Sequence, residues 1–366
     1  MKKVTLKQIA DQAGVSLTTV HRVLNGKGGA SKAVEEEILT IARDQGYSVN
    51  LSAANLRTHP LHIALVFPTL GKASHYFINR MLNGYLAFRS EVTQLNVVFQ
   101  EFYFGTNSVS TDEARQEFED ILKNIYRDQP VHYDGVVIYG MMITPKSEAI
   151  INRIVGRGTK VVVMEYCPEG LFDVCSTQVD DTIAGSLAGD LIARSTHNPG
   201  TVLIINQKLA AGDSNGQACA RLLQEERPDL QVAQEDLILQ EGLVDPIAEF
   251  LQKHPNLQAV YVTSARHTKS LLTAMIKTGI RPATVIGSEL YEDTYNALHT
   301  RELHAVIDKR PEMIGYDALY LLFNCLFRKI DLPAIHRITP RIVLRANSSQ
   351  FFLDRENRYG ISYFSD

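Results

Sequence analysis

Val4–Gly29 reads VTLKQIADQAGVSLTTVHRVLNGKGG, two helical periods separated by one glycine. Leu6, Ile9, Ala10 and Ala13 share one face of a first helix. Gly14 stops it, and Ser16 is suited to cap a second helix. There Val20, Val23 and Leu24 face inward, leaving Leu17, Thr18, His21 and Arg22 pointing elsewhere. A third helix follows Ser31, with Val34, Ile38, Ile41 and Ala42 at helical spacing and Gly46 ending it. Glu35, Glu36 and Glu37 fall in its first turn, where acids suit the helix dipole, and read as a solvated face. Two short helices joined through a tight glycine turn form a helix-turn-helix. The second helix of that motif enters the major groove of DNA with its N-terminal residues at base edges. Leu17, Thr18 and Arg22 are therefore the expected base contacts. Arginine pairs with guanine through two hydrogen bonds, and a leucine or threonine methyl meets a thymine methyl. The capped helix start offers N–H groups to a phosphate. A helical bundle that binds nothing is the alternative. The glycines around Lys27 could suggest a nucleotide loop, but GxxxxGK[ST] framing is absent and a helix, not a strand, precedes them. They read as the turn after the second helix, with Lys27 near the DNA backbone.

Charge supports a polyanion partner for this segment. Residues 1–34 hold Lys2, Lys3, Lys7, Arg22, Lys27 and Lys32 against Asp11 alone, a net +5, so the chain's −4 leaves −9 for the rest. A basic head on an acidic body meets a polyanion through the head. The 366 residues leave room for one to three domains, and 45% hydrophobic with 21% charged residues is ordinary for a globular protein. No apolar run approaches the roughly 18 residues of a membrane span. The opening MKKVTLKQIADQAG lacks the apolar core of a secretion signal, so a cytoplasmic protein without membrane association is expected. Cys167, Cys175, Cys219 and Cys325 show neither CxxC nor zinc spacing and read as reduced thiols. Neither a metal nor a cofactor is expected.

VTLKQIADQAGVSLTTVHRVLNG at Val4–Gly26 resembles the DNA-binding head of the lactose-repressor (LacI) family of bacterial transcription regulators, and the similarity continues through GYSVNLSAANLRT at Gly46–Thr58. The resemblance implies DNA-backbone contacts from Thr5, Leu6, Ser16 and Thr19, and from His21, Asn25 and Ser31. His21 departs from the family's usual small serine and reads either as a pH-dependent contact or as tolerated bulk. Asn50–Arg57 resembles the family's hinge helix, which pairs with a partner's in the minor groove. That implies minor-groove roles for Asn50, for Ala53 where two hinges approach, and for Leu56 as the wedge at a base step. The physics agrees, since a helix shorter than ~12–15 residues is marginal in water and forms when DNA and a partner cover it. An ordinary linker ending at Pro60 is the alternative.

From His62 onward, apolar strand-like runs alternate with helical stretches: HIALVF, NVVFQEF, GVVIY, KVVVM, TVLIIN, AVYVT, TVIGS and RIVL. Such alternation implies parallel sheets with helices on both faces. About ten strands over this length suggest two sheets and two lobes. Ligands of such sheets bind at the carboxyl ends of strands, and a cleft between lobes is a natural pocket. AVIDKRPEMIGYDALYLL at Ala305–Leu322 and DLPAIHRITPRIVLRANS at Asp331–Ser348 resemble the late crossover and closing strand of the same family's effector domain, which is similar to periplasmic sugar-binding proteins. The expected architecture is an all-α helix-turn-helix head on an α/β two-lobed periplasmic-binding-protein-like body. Its segments are 1–46 for the head, 47–60 for hinge and linker, 61–345 for the effector and dimerisation domain, and 346–366 for a C-terminal extension.

The ligand positions depart from the family. Tyr76 and Phe77 keep the aromatic pair after the first strand, as cleft wall or as core. Glu165-Tyr166 replaces a frequent acid–arginine pair, which puts Tyr166 at the ligand. Ser214 and Asn215 stand where an arginine is usual, and Ala265-Arg266 replaces Asn-Asp. Glu289 keeps an acidic position. Arg266 reads either as the partner of an anionic ligand or as a pair with Glu289.

The resemblance implies a sequence-specific, non-enzymatic regulator, a repressor acting as a homodimer on palindromic operator DNA and controlled by a small sugar-like effector. Two other classes are a solute-binding protein, or a hydrolase-like enzyme, carrying a helical head. GDSNG at Gly212–Gly216 fits GxSxG, but an elbow needs its serine directly between strand and helix, and TVLIIN ends at Asn206. His75, His267, His299 and His304 form no HExxH pattern. In the tail, Phe351, Phe352, Tyr359, Tyr363 and Phe364 are expected to pack on the body or to extend a subunit interface. The tail carries no leucine-heptad helix, so a dimer is expected.

Overall fold

The computed structural model describes residues 6–24, 30–44, 60–69, 77–105, 111–207, 214–238, 242–254 and 256–351. The head folds as α1 (Leu6–Gln12), α2 (Leu17–Leu24) and α3 (Lys32–Asp44). Gly14 sits at φ 62° with open space where a Cβ would be, so backbone conformation rather than crowding requires glycine there. Ser16 Oγ accepts the Thr19 N–H at 3.0 Å, and Ser31 Oγ accepts the Val34 N–H at 3.4 Å. Ile9, Ala10, Val20, Val23, Ile38 and Ala42 form one small core. A buried branched side chain contributes about 1.5–3 kcal/mol. Against so few of them, a serine cap of about 1 kcal/mol is a sizeable share of the head's stability.

Beyond residue 60 two sheets form. The first has the order β11-β5-β4-β3-β1-β2. Its strands are β1 (Leu61–Pro68), β2 (Val97–Phe104), β3 (Gly135–Tyr139), β4 (Lys160–Met164), β5 (Val174–Val179) and β11 (Ile335–Ile338). β1 pairs in parallel with β2 and β3, and β3 with β4, with Leu61 opposite Val97, Ile63 opposite Gly135 and Gly135 opposite Lys160. The helices along this part of the chain are α4 (Ile78–Glu91), α5 (Thr111–Tyr126) and α6 (Pro145–Gly156).

The second sheet has the order β12-β10-β9-β8-β6-β7. Its strands are β6 (Gly200–Gln207), β7 (Leu230–Leu237), β8 (Leu257–Val262), β9 (Thr284–Ser288), β10 (Ala305–Asp308) and β12 (Arg341–Val343). The accompanying helices are α7 (Asp181–Ser195), α8 (Ser214–Glu226), α9 (Val244–Lys253), α10 (Ala265–Thr278), α11 (Glu292–Thr300) and α12 (Pro311–Arg328). Parallel pairing links β6 to β7 and β8, β8 to β9, and β9 to β10. β12 is antiparallel to β10, so the sheet closes on one edge against the parallel expectation. Two hydrophobic clusters are built on this sheet, one around Val260, Val262, Leu271 and Leu303, the other around Ala188, Ile204, Tyr261 and Ile286.

The chain divides into two compact units. One comprises Met1–Thr69, Arg89–Ser176 and Leu319–Ala334, and the other Leu70–Phe88, Thr177–Ala318 and Ile335–Asp366. The α/β two-lobed expectation holds. Strands absent from the apolar-run reading are β5 (VCSTQV), β7 (LQVAQEDL) and β11 (IHRI), whose polar residues interrupt the signal, and β10 (AVID), which is only four residues long. Within the second unit α4 and α12 meet backbone to backbone. A Cβ on Gly84 would lie 1.8 Å from the Glu312 carbonyl oxygen, and one on Gly315 would lie 1.9 Å from that of Met81. Residues 345–351 are helical, and Phe351 packs on the second unit's core with the Arg341 guanidinium 4.1 Å above its ring. The expected contacts of Phe352, Tyr359, Tyr363 and Phe364 lie outside the described residues.

Candidate DNA-binding and ligand sites

α2 turns Val20 and Val23 into the head core. Its opposite face carries Leu17, which is 52% exposed, with Thr18 and Arg22 also exposed. An apolar side chain that solvates at the first position of a capped helix costs solubility and contributes nothing to the core. It is well placed to meet a base methyl. Ser16 and Ser31 are exposed at their caps, Thr19 and Leu6 are half-buried, and Ser16 Oγ lies 2.8 Å from Thr19 Oγ1. His21 belongs to α2, but its side chain lies outside the described residues, as do Thr5, Asn25, Asn50, Ala53, Leu56 and Tyr76.

In the first unit, Tyr166 follows β4 and is 45% exposed, behind Glu165 at φ 72°. Burial first, and the Glu165 carboxylate second, hold the Tyr139 hydroxyl well above its ordinary range. A Cβ on Gly140 would lie 1.7 Å from the Tyr166 carbonyl oxygen, so the segment after β4 rests on the end of β3.

The remaining expected ligand residues belong to the second unit. Phe77 is half-buried ahead of α4, its carbonyl accepting the Met81 N–H at 3.1 Å. Ser214 opens α8, exposed, well past the end of β6 at Gln207, which is helix-start geometry and not an elbow. Asn215 is fully buried and its Oδ1 accepts the Tyr261 hydroxyl at 2.7 Å. Arg266 is half-buried in the first turn of α10, which Ser264 caps by accepting the His267 N–H at 3.3 Å.

Glu289 sits in a buried charge cluster. It follows β9 at φ 64° and is 1% exposed. Its Oε2 lies 3.4 Å from Nη1 of Arg80, a residue on α4 that is itself 3% exposed. Arg80 Nη2 donates to Asp308 Oδ1 at 3.0 Å and to Glu312 Oε2 at 2.5 Å. Asp308 Oδ2 accepts from Arg341 Nε at 3.0 Å, with Arg341 Nη2 at 2.9 Å. Three buried acidic side chains thus surround the buried Arg80 guanidinium, and the partly exposed Arg341 adds a second guanidinium at Asp308. Charges there cost several kcal/mol each to desolvate unless paired. Burial first, then the Asp308 carboxylate, push the Glu289 carboxyl up to about 8, against the pull of Arg80 and Lys309. Lys309 donates to the Thr263 carbonyl at 2.9 Å and lies 3.5 Å from Asp181.

The cation on Glu289 is therefore Arg80. Arg80, Asp308, Glu312 and Arg341 were invisible to motif reading, although one signal was present. Arg80, Gly84 and Phe88 recur at helical spacing, so a charge lies on the inward stripe of α4.

Comparisons agree with both parts. Residues 5–50 match the bacterial regulatory proteins of the lacI family, and residues 69–329 match the periplasmic binding protein domain. The sucrose operon repressor of Klebsiella pneumoniae is 42% identical over 73 residues, 19% of this chain and 22% of that protein. The aligned segment thus spans about a fifth of that relative. The fold is similar to a protein from Bacteroides fragilis described as a LacI transcriptional regulator (TM-score 0.65, 11% identity, covering 80% of this chain and 99% of that one). It is likewise similar to a periplasmic ribose ABC transporter protein from Conexibacter woesei (TM-score 0.67, 14% identity, covering 82% and 97%). No helix among the described residues is long and apolar enough to cross a membrane.

Proposed function

The chain belongs to the periplasmic binding protein domain family and carries a lacI-family head, and from that premise we propose that it is a sequence-specific DNA-binding transcription repressor controlled by a small ligand. The observation that carries this reading is the outward face of α2, where Leu17, Thr18 and Arg22 stand exposed on a helix fixed by its own small core. Ser16, Thr19 and Ser31 at the helix starts suit backbone phosphates, and Leu17, Thr18 and Arg22 suit bases. Thr5, Leu6, His21 and Asn25 complete the backbone set, and Asn50, Ala53 and Leu56 act in the minor groove. The segments remain 1–46, 47–60, 61–345 and 346–366.

A homodimer presents two heads, so the operator is a near-palindrome. The effector is sugar-like, in keeping with the fold shared with sugar-binding proteins, and binds at strand carboxyl ends through residues among Tyr76, Phe77, Tyr166, Ser214, Asn215, Arg266 and Glu289. Effector binding shifts the hinge between folded and unfolded forms with a coupling of about 1–3 kcal/mol. The protein acts in the cytoplasm and is not an enzyme.

The test is selection from a random duplex library with the full chain. An inverted repeat should emerge, and Leu17→Ala or Arg22→Ala should change the preferred bases within each half-site. Failure to enrich any sequence overturns the reading.

A further inference from the structure

At the amino ends of the central strands of the first sheet lies a cavity of about 320 Å³, and none of the residues assigned above to DNA or to the effector lines it. Asp134 and Lys160 stand side by side on its wall, just before β3 and at the start of β4, with the Lys160 N–H on the Asp134 carbonyl at 2.9 Å. Lys329 and Asp331 join them from the segment after α12. Cys325, in the last turn of α12, lies within the field of both lysines. Burial pushes its thiol up, and Lys160 and then Lys329 pull against that. The Arg157 guanidinium on the same wall is committed to the Tyr126 carbonyl and to Asp128, and the His132 ring lies 2.9 Å from Asp128 as well. Lys160 and Lys329 differ from them. Both side chains are exposed, and among the described residues neither forms an ion pair or a side-chain hydrogen bond. Lys329 also sits at φ 58°, the left-handed region that glycine fills without strain at a helix end, so the lysine is held there at a backbone cost. Buried Leu326 and Ile330, which is 41% exposed, add an apolar wall to the same cavity.

We propose that this cavity is a binding site for a small, hydroxylated phosphate monoester, at the opposite edge of the first sheet from Tyr166 and separate from the effector positions given above. A phosphate monoester carries about two negative charges and three strong acceptor oxygens, which matches two ammonium groups that no acid neutralises. Lysine serves phosphate as a point charge, whereas a carboxylate is best met by the arginine fork. Asp134 Oδ2 accepts the His62 N–H at 2.9 Å. Its other oxygen and the exposed Asp331 carboxylate are acceptors for hydroxyl groups. Leu326 and Ile330 cover a carbon skeleton, which a bare phosphate lacks. The volume stands at the lower end of the roughly 300–1,000 Å³ typical of ligand pockets, in keeping with an ester of monosaccharide size.

The experiment is a calorimetric titration of the full chain, without DNA and at fixed ionic strength. D-glucose 6-phosphate, D-ribose 5-phosphate and glycerol 3-phosphate are set against D-glucose, D-glucuronate and inorganic phosphate. At least one ester should bind about tenfold to a hundredfold tighter than all three comparators, the range for hydrogen bonds to charged groups. Lys160→Gln combined with Lys329→Gln should abolish that preference, and the two arginine replacements together should keep most of it, which distinguishes lost charge from lost folding. Lys329→Gly removes the ammonium and relieves the backbone, so it should weaken ester binding without lowering the urea unfolding midpoint. No binding by any ester, equal binding of glucuronate or of inorganic phosphate, or an unaltered preference in the double glutamine variant overturns the inference. Because the titration contains no DNA, a chain that binds an ester but no operator counts against the regulator reading alone.

Discussion

The head and the second unit of the body handle polar chemistry in opposite ways. In the head, the groups assigned to function stand on the surface of α2 while a few aliphatic side chains hold the helix. In the second unit, Arg80 is buried and paired with Glu289, Asp308 and Glu312, which are buried as well. Surface chemistry can be altered with little effect on folding, whereas a buried ion cluster couples recognition to stability. Mutations should therefore separate binding from folding in the head and fail to do so in the body.

The largest effect is expected from Arg80→Met. Removing one partner of a buried charge set costs about 3–5 kcal/mol. Urea unfolding followed by circular dichroism should show that loss, and a second replacement, Glu289→Gln, should recover part of it. Gly84→Ala comes next, because the new methyl meets the Glu312 carbonyl and overpacking of this kind costs about 1–3 kcal/mol. Neither change should alter the isolated preference of α2 for its bases. Conversely, Arg22→Ala should cost about 1–3 kcal/mol of operator discrimination with an unchanged unfolding midpoint. The smallest effect is expected from Ser16→Ala, about 1 kcal/mol of head stability through the lost cap.

A pH series sharpens the same contrast. The Glu289 carboxyl is raised from 4.5 to about 8, so between those values the folded chain holds a proton the unfolded chain has released. Stability of the second unit falls as pH rises through that window and is level on either side. Glu289→Gln should flatten this slope, and a slope unchanged by it would show that another group is responsible.

The two regions were unequally legible in the sequence. The head was readable because a period, a glycine and a cap each state a local rule, and Leu6–Asp44 obeys all three. The alternating body was readable as α/β because buried parallel strands such as LHIALVFP are continuously apolar. The charge cluster was not, since Arg80 and Glu289 stand 209 positions apart and only the fold joins them. The bond from the Tyr261 hydroxyl to the Asn215 amide oxygen was equally illegible, since the two residues stand 46 positions apart. Burial of a polar residue has no local signature when its partner is remote.

The central claim is that the head binds operator DNA through phosphates and bases together. A mobility shift of the full chain on the selected duplex tests it most directly, at about 50 and about 200 mM salt. With about six to ten phosphate contacts, affinity should fall by about 10³–10⁵ between the two, while a scrambled duplex binds far more weakly at both. Salt-independent binding, or equal affinity for operator and scrambled duplex, would contradict it.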